Sequence, residues 1–196
     1  MPPAAEIQQQ LAGVWHMMMG RKDGLKMLDL SADGFWNSFF AIAVALPALA
    51  IGWVMAANDM VLEGAFASRP VLLVQFILTD LGAWVLPYGL LALAMRPAGI
   101  ADRFVHYVVA SNWAQALFSW LMLPALLIRL LLPDAEELAN GITFFLFLLT
   151  LVLAWRLTNI AIGKGAAVAT AVFVSMFIAS IGVLVAFEAI WSSSRF

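Results

Sequence analysis

The sequence contains no cysteine, only two histidines, and only 11% charged residues. The absence of cysteine excludes disulfides, thiol catalysis and cysteine-ligated metal or iron–sulfur centres. Neither His16 nor His106 has a second histidine at metal-ligand spacing. The ten lysines and arginines are too few for a basic nucleic-acid-binding surface. We therefore expect no metal, no cofactor and no nucleic-acid partner.

The shortage of charge also decides the class of protein. Soluble domains carry about 25% charged residues because their surfaces face water. In this chain 64% of the residues are hydrophobic, so the charged side chains cannot cover a globule. A bilayer accepts apolar surface and removes that conflict. The composition therefore predicts an integral membrane protein surrounded by lipid.

Long apolar runs separated by short charged segments supply five candidate spans. A helix needs about 20 apolar residues to cross a hydrocarbon core of roughly 30 Å. The runs predict transmembrane helices at residues 35–57, 70–95, 106–131, 138–162 and 166–190. They lack the period-two alternation of β-barrel strands. We predict an all-α membrane protein, with a five-transmembrane-helix bundle at 35–191 and a short outer tail at 192–196.

Residues 1–34 are expected to form a cytoplasmic, amphipathic N-terminal segment. Gln8, Gln9 and Gln10 interrupt the apolar run that a secretory signal would need, so we expect the segment to be retained. Helical spacing aligns one apolar stripe: Ile7, Leu11, Val14, Trp15 and Met18. Such an interfacial helix lies in the headgroup plane or packs against the ends of the bundle, and docking of a partner gives the same pattern.

Lysine and arginine are distributed unevenly over the predicted loops, which sets the orientation. With the N-terminus inside, seven lie on the cytoplasmic side: Arg21, Lys22, Lys26, Arg96, Arg103, Arg156 and Lys164. Three lie outside: Arg69, Arg129 and Arg195. Anionic lipid attracts Arg21, Lys22 and Lys26 by about 1 kcal/mol each, and Asp23, Asp29 and Asp33 weaken that attraction. The distribution predicts a multi-pass protein with a cytoplasmic N-terminus and an external C-terminus.

Asp80 interrupts the second span close to the bilayer midplane. An ionised carboxylate is costly there, so we expect it to be protonated, paired or beside water. Gln75 precedes it on the same span, while Asn112 and Gln115 on the third span lie at a similar depth. One interpretation is a proton or ion site between the two spans. The other, which we favour, is a hydrogen-bonded pin that joins two helices.

Three prolines interrupt the first three spans: Pro47, Pro87 and Pro124. Each removes a backbone donor and frees the carbonyl four residues earlier, and these carbonyls belong to Ala43, Ala83 and Trp120. Kinked helices open binding sites near the midplane of transporters. They are also common in inert bundles, so the prolines alone do not indicate transport.

Small residues align along one face of the first and fifth spans. They are Ala41, Ala45, Ala48 and Gly52 in the first, and Ala171, Ser175, Ala179 and Gly182 in the fifth. Because lipid tails are as apolar as leucine, membrane helices associate by close packing, which small residues permit. The two ridges either meet each other, the simpler interpretation, or one of them faces a second protein.

The stretch from Gly24 to Phe40, GLKMLDLSADGFWNSFF, runs into Pro47 and resembles the opening of bacterial inner-membrane proteins. The layout of the whole chain, an N-terminal segment followed by five closely spaced helices, resembles the Yip1-like membrane proteins. The resemblance implies a bacterial inner (cytoplasmic) membrane location. The Asp-Leu-Tyr-Gly-Pro signature of that family is not present, and Asp80-Leu81-Gly82 is its nearest counterpart. The GTPase-binding role of eukaryotic relatives is therefore not carried over.

Enzyme motifs are absent from the sequence: there is no HExxH, GxSxG, Walker A or GxGxxG pattern. Asp80 also has no second intramembrane aspartate with which to form a proteolytic dyad. We therefore expect a non-catalytic protein that organises membrane or partner proteins, as an accessory subunit with a membrane-protein partner or as a homo-oligomer. The alternative is a small transporter or proton-linked permease that uses Asp80, Gln115 and Asn112.

Overall fold

The computed structural model describes residues 2–65 and 67–193, and its secondary structure within these ranges is entirely helical. The seven α-helices are α1 (Ala4–Met18), α2 (Ala32–Ser38), α3 (Ala41–Leu62), α4 (Arg69–Met95), α5 (Phe104–Leu131), α6 (Glu136–Ile162) and α7 (Ala166–Ser193). A 3-10 helix, Lys22–Met27, lies between α1 and α2. Residues 194–196 of the predicted outer tail, among them Arg195, lie outside the described residues.

Among the described residues, five helical segments are long and apolar enough to cross a membrane. They have 27 to 31 residues each when α2 and α3 are counted together and α5 is extended to Ala101. At the rise of an α-helix, 27 residues extend about 40 Å, more than the thickness of a hydrocarbon core. The predictions of an all-α chain and of five helices able to span a membrane are confirmed. Each predicted span falls within one of these segments.

The first predicted span contains two helices rather than one, because the chain turns at Phe39 and Phe40. The hydroxyl of Ser38 donates to the carbonyl of Phe35 at 2.7 Å. In a continuous helix that carbonyl would accept the N–H of Phe39, which instead donates to Trp36 at 3.2 Å. A serine that competes in this way for a backbone carbonyl bends the helix.

The chain divides into two compact units. Unit 1 comprises Met1–Leu49 and Asp102–Phe173, and unit 2 comprises Ala50–Ala101 and Val174–Phe196. Unit 1 is built on the pair of helices α5 and α6, against which α1 packs, while α2 packs against α5. Its largest fully buried side chains include Met17, Met18 and Trp113. Burial of these large apolar side chains is the main force that holds α1 on the pair.

Two glycines let the 3-10 helix lie directly on α1. A Cβ atom at Gly24 would collide with the carbonyl oxygen of Gly13, and one at Gly13 would lie 2.9 Å from the carbonyl oxygen of Gly24. The Gln9 side chain donates to Met27 O at 2.9 Å, and that of Gln10 accepts from the N–H of Asp29 at 3.3 Å. Gln9 and Gln10, two of the three glutamines that interrupt the N-terminal apolar run, therefore hold Met27 and Asp29 against α1.

Unit 2 brings α4 together with the C-terminal part of α7. A Cβ atom at Gly82 of α4 would lie 2.5 Å from Cε2 of Phe187 on α7. Only a residue without a side chain permits this approach of ring to backbone. The ring of Phe187 in turn packs 5.8 Å, centroid to centroid, from that of Trp191. Gly82 was not among the small residues predicted to pack helices.

Candidate functional site

Asp80 lies on α4 in unit 2 and is partly buried. The indole N–H of Trp53, on α3, donates to its Oδ2 atom at 2.6 Å. Trp53 itself is 8% exposed, so the donor is held in a packed position. Gln75, also on α4, is partly exposed. A short hydrogen bond to a neighbouring helix is the geometry expected of a hydrogen-bonded pin between helices. The bond from Trp53 involves one of the two carboxyl oxygens of Asp80.

Polar groups on both sides of Asp80 in α4 are reached by side chains of α7. The indole of Trp191 donates to Thr79 Oγ1 at 3.0 Å. The hydroxyl of Ser180 lies 3.5 Å from the carbonyl oxygen of Ala83, the acceptor that Pro87 frees. Together with Asp80, these groups place a polar layer on roughly one turn of α4, facing donors from both neighbouring helices of unit 2. The layer satisfies backbone and side-chain acceptors that lipid would leave without a partner.

The part of α3 that precedes Pro47 has a similar neighbour in unit 1. The indole N–H of Trp120, on α5, donates to the carbonyl oxygen of Val44 at 2.9 Å. This carbonyl follows that of Ala43, which Pro47 frees. Indole N–H groups thus donate to acceptors on α3 and α4 three times, from Trp53, Trp120 and Trp191. No sequence pattern of tryptophan spacing indicates this role.

Asn112 and Gln115 of α5 differ sharply in environment. Asn112 is 0% exposed, and its Nδ2 donates to Ser38 Oγ on α2 at 2.8 Å. Gln115, one turn later, is exposed. Both belong to unit 1, whereas Asp80 and Gln75 belong to unit 2. The structure thus brings Asn112 together with Ser38, a residue that the sequence did not single out, and Asp80 together with Trp53.

Basic side chains of unit 1 are held by local contacts around α1 and the end of α6. Arg156 donates to the carbonyl of Met19 at 2.7 Å, which satisfies an acceptor left open at the C-terminal end of α1. Lys164 contacts Asp102 at 2.8 Å. Arg21 pairs with Asp23 at 2.7 Å, and this hydrogen bond holds the pKa of the Asp23 carboxyl below its usual range.

The two predicted ridges have different surroundings. Ala41, Ala45 and Ala48 are buried, at 0 to 2% exposure, as expected of residues that let helices pack closely. Gly52 is partly buried. On α7, by contrast, three members are exposed and only Ala179 is partly buried; the exposed members are Ala171, Ser175 and Gly182. A Cβ atom at Gly182 would meet no atom within 4 Å.

Over the residues that the structure describes, fold and site together define an all-α protein with five helical segments able to span a membrane and with polar contacts between its helices. Among the described residues, no group of three or more histidine, aspartate or glutamate side chains is placed to hold a metal ion. No protein-family model, curated protein or solved structure matches the chain.

Proposed function

We propose that the chain is a non-catalytic, multi-pass protein of the bacterial inner membrane that organises a membrane-protein partner, as an accessory subunit of a larger complex or as a homo-oligomer. The observation that carries this proposal is the small-residue face of α7, on which Ser175 and Gly182 are exposed and Ala179 is partly buried. Open space over Gly182 leaves room for the backbone of another helix. Helices in lipid associate at such faces because only small residues permit close approach.

The test introduces bulk on this face without touching the packed interior. In full-length protein extracted with mild detergent, Gly182→Leu is expected to dissociate the partner or second copy. Ile178→Leu is the matched control. Ile178 is 62% exposed on the same helix, and the substitution leaves the side-chain volume unchanged. The readout is the mass of the complex by light scattering. A wild-type protein that is already a lone monomer, or a complex unaffected by Gly182→Leu, contradicts the proposal.

The orientation that we propose has the N-terminus and α1 on the cytoplasmic face and the C-terminus outside. Its support is the excess of lysine and arginine on that face, together with the acidic stretch Pro133–Glu137 in the opposite loop. In this arrangement residues 1–34 lie at the interface, where α1 packs against α5 and α6. Because the chain has no cysteine, single cysteines at Asp33 and Asp134 will report the side by labelling with an impermeant maleimide. Labelling of Asp134→Cys from the cytoplasmic side contradicts the orientation.

A second candidate function is a proton-linked permease centred on Asp80. It is favoured by the partial exposure of Asp80 and by the engagement of a single carboxyl oxygen by Trp53. A protonated carboxyl in the apolar interior reacts with dicyclohexylcarbodiimide, so labelling of Asp80 and proton flux in vesicles carrying a pH dye both test it. Asp80→Asn should abolish flux and leave the fold intact. Equal flux with Asp80→Asn removes this candidate.

A further inference from the structure

The helix α1 has a buried face and an outward face, and the outward face carries no charge. Val14, Met17 and Met18 are 0 to 1% exposed. The exposed residues of α1 and its C-cap are Ala4, Ala5, Gln8, Gln9, Trp15 and Met19. A helix facing water ordinarily concentrates its charged residues on the outward side. This outward side is apolar or amide instead.

The predicted apolar stripe is therefore divided by the fold. Val14 and Met18 face α5 and α6, whereas Trp15 is 49% exposed and Met19, one turn later, is 39% exposed. The stripe is used for internal packing, and its exposed tryptophan turns away. One edge of the predicted stripe is thus buried, and the edge that carries Trp15 meets the surroundings of the protein.

The segment directly after α1 presents positive charge. Lys22 and Lys26 are exposed on the 3-10 helix, and within the described part of the chain neither forms an ion pair. The charge of Asp23, which lies between them, is matched by Arg21. The opposite face of the 3-10 helix is occupied, because Gly24 abuts α1. The two lysines are therefore directed outward with their charges unmatched.

We propose that Trp15 of α1 and its C-cap Met19, and the exposed Lys22 and Lys26 of the 3-10 helix that follows, contact anionic lipid headgroups. This proposal rests on the membrane placement given under the proposed function. Tryptophan partitions to the headgroup level because its ring is apolar and its N–H is polar. Lysines beside such an anchor attract acidic headgroups over a distance set by ionic strength.

Two observations favour a lipid surface over a protein as the occupant. First, α1 is fixed on α5 and α6, two helices of spanning length, so the medium beside those helices is also the medium nearest to α1. Second, the charges complement acidic lipid, whereas the apolar patch consists of only two large side chains. A specific protein interface needs about 800 Å² on each partner with a packed centre, which Trp15 and Met19 alone do not supply.

The natural absence of cysteine allows single nitroxide labels at chosen sites of the full-length chain. Gln8→Cys and Met19→Cys report the outward face, Leu78→Cys reports an exposed position of α4, and Asp33→Cys reports water. In nanodiscs of phosphatidylcholine with one quarter phosphatidylglycerol, collisions with oxygen and with a water-soluble nickel chelate are compared. The expected oxygen-to-nickel ratio at Met19 is several-fold above that at Asp33 and below that at Leu78.

Each other outcome overturns the inference. A water-like ratio at Met19 and Gln8 means that the face contacts solvent, and low collision rates with both reagents mean that a protein covers it. A water-like ratio at Leu78 as well would instead contradict the membrane placement, so the two proposals fail separately.

The charge component is tested by lipid composition. Raising the phosphatidylglycerol fraction should move the Met19 label deeper, and added salt should reverse that movement. Lys22→Gln combined with Lys26→Gln should remove the response, whereas Lys164→Gln should retain it because Lys164 is paired with Asp102. A response that is absent in the wild type, or lost equally in Lys164→Gln, contradicts the role of the two lysines.

Discussion

The hydrogen bond from the Trp53 indole to Asp80 joins α3 to α4 at 2.6 Å. Removal of the donor by Trp53→Phe should lower the free energy of unfolding by about 0.6 kcal/mol, the average for hydrogen bonds between membrane helices, and by no more than the maximum of about 1.7 kcal/mol. Asp80→Asn should cost less, because the amide oxygen still accepts the indole N–H. Reversible unfolding in mixed micelles measures both. In the Asp80→Leu background, Trp53→Phe should cost less than it does alone, and additive losses would show that the bond contributes nothing.

The contact between Ser180 and the carbonyl of Ala83 predicts a coupling to Pro87. Ser180→Ala should destabilise the protein by about 1 kcal/mol or less, since a hydroxyl–carbonyl bond of 3.5 Å is long. In a Pro87→Ala background the new backbone N–H can serve Ala83, so the same substitution should be nearly neutral. The measurement is a double-mutant cycle of unfolding free energies. An equal cost of Ser180→Ala in both backgrounds would show that this hydroxyl does not serve the carbonyl that Pro87 frees.

Gly82 and Gly89 lie on the same helix, but substitution by alanine should change the stability of the protein differently at the two positions. A Cβ atom at Gly82 meets the ring of Phe187 at 2.5 Å, whereas one at Gly89 meets nothing within 4 Å. Gly82→Ala should therefore destabilise by about 1 to 3 kcal/mol through overpacking. Gly89→Ala should be neutral or should stabilise by up to about 1 kcal/mol through reduced chain entropy. Phe187→Ala should relieve the cost of Gly82→Ala in thermal melts, and the absence of such relief would place the strain elsewhere.

The spans were predictable from sequence because lipid imposes one strong rule, a charge-free run of sufficient length. The division between α2 and α3 was not, because Ser38 acts through a local hydrogen bond to Phe35 inside an otherwise apolar stretch. The same serine accepts from Asn112, more than seventy residues away in the chain. Contacts of this kind depend on which helices become neighbours.

Asp80 could be singled out from sequence because a carboxylate is rare inside an apolar run. Its partner could not, since an indole N–H in an apolar stretch is indistinguishable by pattern from any packing tryptophan. The sequence likewise could not show which residues of the apolar stripe of α1 are buried and which are exposed. Helical spacing groups Trp15 with Val14 and Met18 within a broad arc, and only the packing of α1 on α5 and α6 decides which edge of that arc is covered.

The pair Asn112 and Gln115 gives the sharpest contrast within α5, because both were predicted as site residues and only one is buried. Asn112→Ala should destabilise by about 1 to 3 kcal/mol, since it leaves the hydroxyl of Ser38 without its donor and empties a packed position. Gln115→Leu should change stability by less than about 0.5 kcal/mol, as is usual for exposed positions. Unfolding free energies of the two variants measure the difference. If Gln115→Leu proved as costly as Asn112→Ala, then Gln115 would have to be packed or hydrogen-bonded, and its exposed placement on α5 would be wrong.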